Sequence, residues 1–140
     1  MKLKKFIAVT IAALILISFS GCRAAFPRAY QSGDSSVTIS VVTEDGQTII
    51  ASEQAGIGQG NTVFDVTAFV LKEHNKSFSY TGTGDGVYIK EIDGLAEFSQ
   101  GPQSGWVFYV NGTAATQSSG GYTLSGGEDI KWTFVTKQTF

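Results

Sequence analysis

"GNTVFDVTAFVLKEHNKS", residues 60–77, is the stretch on which the reading of the fold turns. Val63, Val66 and Val70 recur at helical spacing, with Phe64 and Leu71 beside them. Asp65 and Lys72 are expected on the opposite, solvated face. Asn61 or Thr62 can cap the first turn, and Asp65 stands three residues after Thr62, the spacing of a capping box. A helix is therefore expected here, in a chain whose other ordered stretches look like strands.

On its N-terminal side, "SVTISVVT" (36–43) is β-branched and alternates, putting Val37, Ile39 and Val41 on one face. "EDG" (44–46) is a turn signal and "QTIIAS" resumes as a strand, so the two read as a hairpin. On its C-terminal side come "FSYTG", "VYIKEI", "AEF", "GWVFYVNG", "GYTL" and "DIKWTFVT", all strand-like. Asn111-Gly112 is a two-residue hairpin signal, because a type I′ turn needs positive φ at both positions. One helix between a strand pair and a longer strand series gives an α+β domain over residues 37–140, the helix covering one face of a mixed sheet.

The N-terminus reads differently. Lys2, Lys4 and Lys5 precede the apolar run "FIAVTIAALILISF" (6–19), and small residues follow it. That is the pattern of a secretory signal peptide, and the run is shorter than the roughly 20 apolar residues a membrane span requires. It ends in Phe19-Ser20-Gly21-Cys22, and Cys22 is the only cysteine. This resembles the lipobox of bacterial lipoproteins, although Phe19 stands where that family usually has leucine. The resemblance implies a signal peptide over 1–21 and a lipid anchor on Cys22. It also implies an extracytoplasmic position at the membrane, and residues 22–36 then read as a tether. One acyl chain holds a protein only marginally, so the diacylglyceryl group of such lipoproteins meets the need for two.

Ten basic residues less the three N-terminal lysines leave seven against twelve acidic ones, a net charge of about −5 for residues 22–140. Such a chain has no basic patch for nucleic acid. His74 is the only histidine and falls in the last turn of the expected helix. No G-x-S-x-G elbow accompanies it, so no acid, base and nucleophile assemble in sequence, and no enzyme is expected. The Asp-Gly pairs in "GDG" (84–86) and "IDG" (92–94) are turn chemistry, since the fixed ligand spacing of an EF-hand loop is missing.

"GPQSGWVFYVNG" (101–112) is the most distinctive stretch. Trp106, Phe108 and Val110 share one strand face, and Val107 and Tyr109 the other. Four segments occur in order: the Thr-Val-x-Asp-Val helix start, "YTGTGDGVYIKEIDGLAEF", "GPQSGWVFYVNG" and "YTLSGGEDIKWTF". Together they resemble the DUF4430 family, which looks like the C-terminal β-domain of transcobalamin and intrinsic factor. The resemblance covers residues 37–140 and implies a β-grasp-like fold. It also implies a surface module that captures cobalamin or another corrinoid for uptake. The helical barrel that forms the other half of the vitamin carriers' site has no counterpart here, so an importer or second ligand-binding chain is implied as partner. For such a ligand Tyr88, Phe98, Trp106 and Tyr109 would supply surface, and Gln103 and Ser104 hydrogen bonds. The alternative is a surface adhesion or protein-interaction module with the same fold and no vitamin ligand.

Overall fold

The computed structural model of the protein describes residues 30–138. The expected signal peptide and Cys22 lie outside the described residues. Strand β1 (Ser35–Thr43) turns through residues 44–47 into β2 (Thr48–Ile57), and helix α1 (Val63–Glu73) follows. Then come β3 (Phe78–Thr81), β4 (Tyr88–Ile92), β5 (Leu95–Ala96), β6 (Gly105–Val110), β7 (Thr113–Ala114) and β8 (Asp129–Val135). Five strands form one mixed sheet in the order β2-β1-β8-β6-β7, in which β1 and β8 run parallel and the other neighbours antiparallel. The α+β, β-grasp-like architecture expected from the sequence is the one found. A separate antiparallel sheet, β3-β4-β5, adds to the single sheet that was expected.

The main sheet buries one face. Val37, Ile39 and Val41 of β1, Trp106, Phe108 and Val110 of β6, and Ile130, Trp132 and Phe134 of β8 are all buried, with polar or half-buried residues between them. Period-two alternation puts these side chains on the face that packs against α1. The α1 side contributes Val63, Val66, Val70 and Leu71, and Trp132 Nε1 donates to Thr67 Oγ1 at 2.8 Å across the two layers.

The capping box forms as expected: Asp65 N donates to Thr62 Oγ1 and Thr62 N to Asp65 Oδ2. Asp65 is nonetheless buried rather than solvated, because its carboxylate turns back onto the helix start, where two donors and the positive end of the helix dipole hold it. The same helix start explains why "GYTL" is not a strand. The backbone of residues 119–122 ties down the first turn instead, Tyr122 O accepting from Val63 N and Ser119 O from Phe64 N. An isolated antiparallel bridge joins Thr123 to Thr62. His74 is the C-cap of α1, is partly exposed, and pairs with Glu53 of β2 at 2.8 Å.

Both dipeptide turns are as the sequence reads. Asn111 and Gly112 have φ of 51° and 81°, and join Val110 to its partner Thr113. Asp93 and Gly94 do the same between β4 and β5, with φ of 51° and 82°. Part of the 22–36 stretch read as a tether belongs to the domain: β1 begins at Ser35, and the Tyr30 ring stacks on Phe69 of α1 with centroids 3.9 Å apart.

Candidate ligand-binding groove

Strand β6 lies near the edge of the main sheet, and only its last two residues pair with β7. Past Ala114 the chain swings away. It is fastened to the turn preceding β4, where Ser119 Oγ and Gly120 N donate to Val87 O, and Ser118 Oγ donates to Asp85 O. An open groove of about 500 Å³ is left between the β6 edge and residues 115–119. Trp106, Phe108 and Trp132 line it from the core face, Val107 from the other face of β6, and Tyr88 and Gln138 close one side. It is lined by apolar rings and uncharged polar groups, without a charged side chain.

The sequence-predicted site residues divide into three sets. Tyr88 and Trp106 both line the groove. Trp106 does so from within the core: it is 2% exposed, packs edge-on to Phe134, and donates its indole N–H to Leu95 O at 2.8 Å. Tyr88 is half-buried; burial first, then the Glu97 carboxylate, push its phenol above the ordinary value of 10.0.

Phe98 and Gln103 stand on the loop between β5 and β6. Phe98 is 61% exposed and holds a φ of 64°, a left-handed conformation that a bulky residue rarely adopts. The loop enforces it: Phe98 N donates to Ser104 O and Phe98 O accepts from Gly101 N. Gln103 is exposed, and its carbonyl accepts from Gln138 N, which brings this loop beside the groove.

Ser104 and Tyr109 fall outside the groove. Ser104 is fully buried; its hydroxyl donates to Gly101 O at 2.9 Å and accepts from Gln100 N at 3.1 Å, so it staples the loop and has no bond to offer a ligand. Tyr109 lies on the sheet face opposite Trp106, half-buried. Phe108 and Trp132, which sequence reasoning passed over as ligand residues, line the groove. Their signal was present, since Phe108 shares the face of Trp106 and Trp132 sits in an alternating strand.

A second depression of about 550 Å³, near Glu44, Asp45 and Asp93, is polar. Its carboxylates are already engaged: Glu44 by the Thr136 backbone N–H and hydroxyl, Asp45 by the Thr43 hydroxyl, and Asp93 by Lys76. Those hydroxyl and N–H donors hold the Glu44 and Asp45 carboxyls below their ordinary values. Among the described residues no group of three His, Cys, Asp or Glu side chains converges as metal ligands.

A family model described as Domain of unknown function (DUF4430) matches residues 60–136, more than half of the chain. The chain belongs to the DUF4430 family. The match runs from the start of α1 to the end of β8, so it includes every strand that borders the groove. No curated protein matches the sequence. Among solved structures, this DUF4430 chain resembles haptocorrin in complex with Cbi, at a TM-score of 0.58 and 17% identity over 77% of the chain. It spans only 27% of the haptocorrin chain. It also resembles a Ruminococcus gnavus protein provisionally described as metal-binding, at a TM-score of 0.55 and 18% identity, over 76% of this chain and all of that one. At these identities the likenesses show the fold.

Proposed function

We propose that this DUF4430 chain is a lipid-anchored surface module that binds a corrinoid between its groove and the loop carrying Phe98 and Gln103, for uptake by an importer. The observation that carries this reading is the one-sidedness of the groove. Ring surface from Tyr88, Trp106 and Phe108 lines the groove, and the loop that carries the exposed Phe98 and Gln103 is tied to its border where Gln138 N donates to Gln103 O. A corrin is broad and flat, with amide arms round an apolar ring, and suits apolar surface with few polar groups. The shared fold with part of haptocorrin, solved with Cbi, supports the choice of ligand. The larger remainder of that chain has no counterpart in the span matched, so a second chain is assigned to the ligand's other face. Cys22 would hold the module at the membrane.

Binding to one face is weak. The expected dissociation constant for the chain alone is roughly micromolar, equivalent to about −8 kcal/mol. Titration of the purified chain in detergent micelles with cobalamin and cobinamide, followed by visible absorbance and calorimetry, tests it. Gln103→Ala lies on an exposed loop and should weaken binding without unfolding. Absence of binding at near-millimolar corrinoid, with and without candidate partner chains, would leave the interaction-module reading in its place.

A further inference from the structure

Gln138 reaches the groove from the line of β8. Val135, at the end of that strand, lies opposite Gly105, and just beyond it Gln138 N donates to Gln103 O at 3.1 Å. The side chain then turns back over β6. A Cβ on Gly105 would stand 2.7 Å from Gln138 Nε2, closer than non-bonded Cβ contacts come, so glycine at this position leaves the amide its place. The same point is 3.7 Å from both the Tyr88 hydroxyl and Glu97 Cβ. A carboxamide, a phenol and a carboxylate-bearing side chain therefore meet over one backbone position, at the side of the groove that Tyr88 and Gln138 close.

The hydrogen bonds among them run in one direction. A carboxylate only accepts, so in the bond between Tyr88 and Glu97 the phenol donates. A phenol has a single proton, so in the bond between Tyr88 and Gln138 the amide N–H donates and the phenol oxygen accepts. Lys90 Nζ, 3.6 Å from Glu97 Oε1, answers the charge of the carboxylate. The Tyr88 oxygen is thus an acceptor at the side of the groove, and it suits a neutral N–H donor better than a cation. Gln138 fills that role without being fixed in it. It is half-buried, it lies beyond the last strand, and its backbone bond to Gln103 holds wherever its side chain points.

We propose, resting on the corrinoid reading for the choice of ligand, that the corner over Gly105 is a subsite for a primary carboxamide, and that the Gln138 carboxamide occupies it in the free chain until a ligand amide displaces it. The arms of a corrin end in such amides. The exchange replaces one N–H···O bond to Tyr88 by another, so it contributes selectivity more than affinity. A ligand with an ester or carboxylate at that arm must move Gln138 aside and leave the Tyr88 oxygen without a donor. The same amide competes with the ligand, so the free chain binds less tightly than its groove allows.

The test uses the full chain in detergent micelles and follows the Gln138 side-chain amide signals by NMR, assigned against Gln138→Ala. Propionamide, a corrin arm in isolation, should move these signals toward free-amide positions as it approaches molar concentration. N,N-dimethylpropionamide, which has no N–H, should move them less than about a third as far. Gln138→Ala keeps the backbone bond to Gln103 and should bind cobinamide about three- to tenfold more tightly than the parent, with an unchanged thermal midpoint. Unmoved Gln138 signals, equal effects of the two amides, or cobinamide binding no tighter in Gln138→Ala than in a parent that binds it would each overturn the proposal. The propionamide arm needs no corrinoid. If propionamide displaces Gln138 and cobinamide fails to bind, the corrinoid reading falls and the subsite stands; if cobinamide binds and the Gln138 signals stay in place, the subsite falls and the corrinoid reading stands.

Discussion

Trp132 on β8 and Thr67 on α1 share a hydrogen bond of 2.8 Å between two side chains that are 2% and 0% exposed. The Thr67 hydroxyl also donates to Val63 O at 2.6 Å, so one buried oxygen joins the central sheet to the helix backbone. Thr67→Val keeps the shape and removes the acceptor, leaving the indole N–H unpaired in the core. The expected loss is about 1–3 kcal/mol, read as a lower denaturation midpoint. Thr67→Ser should recover much of it, and equal losses in the two variants would point to packing instead.

Gly112 at φ 81° closes the β6–β7 turn. Gly112→Val forces a β-branched residue to positive φ, at a cost of about 1–3 kcal/mol in the same assay. Its Cβ would meet nothing within 4 Å, so any loss comes from backbone strain and not from a clash.

Phe98 is predicted to show a conflict between stability and binding. Phe98→Gly relieves the left-handed strain of a bulky residue, and after the entropy that glycine adds to the unfolded chain the net gain is up to about 1 kcal/mol. The same variant should bind corrinoid more weakly. If stability falls instead, the ring is part of the fold and not a contact held ready for a ligand.

Alkaline pH should weaken the fold through Tyr88. Its phenol is neutral when protonated, and burial followed by the Glu97 carboxylate raises its folded value above the ordinary 10.0. The folded state thus keeps a proton that the unfolded chain releases. This contribution is full below about pH 10 and is lost as pH rises through the folded-state value. Tyr30, raised by burial, adds to the same fall. Denaturation midpoints between about pH 9 and 11.5 should drop, and Tyr88→Phe should make the drop shallower.

Cys22→Ala is expected to abolish metabolic lipid labelling and to release the chain or leave it unprocessed at the membrane. A variant that matures and stays anchored like the parent would remove the lipoprotein reading.

What was legible in the sequence was local. The Thr62–Asp65 capping box, the Asn111-Gly112 turn and the Val37-Ile39-Val41 face each follow from residues within a few positions of one another. The parallel pairing of β1 with β8 depends on strands at opposite ends of the domain, and no local pattern encodes it. Asp65 was misplaced because a helical wheel counts faces and not the bonds made at a helix end. Within the site, aromatic residue type led to Tyr88 and Trp106. Ser104 reads as a ligand donor because its polarity is visible in sequence, whereas its two bonds within the 98–104 loop are not.

The neighbouring places of β1 and β8 govern how the domain comes into being. Thr38 lies opposite Asp129 and Thr43 opposite Phe134, so the middle of the main sheet is made from segments synthesised early and late. A growing chain can form the β1–β2 hairpin and α1, but β6 has no place beside β1 until β8 arrives between them. Assembly of the sheet therefore waits for nearly all of the domain, and contacts this distant in sequence slow folding. Truncation before β8 removes the centre of the sheet, so it should yield a nascent-like chain with apolar faces open to chaperones and proteases rather than a smaller stable domain.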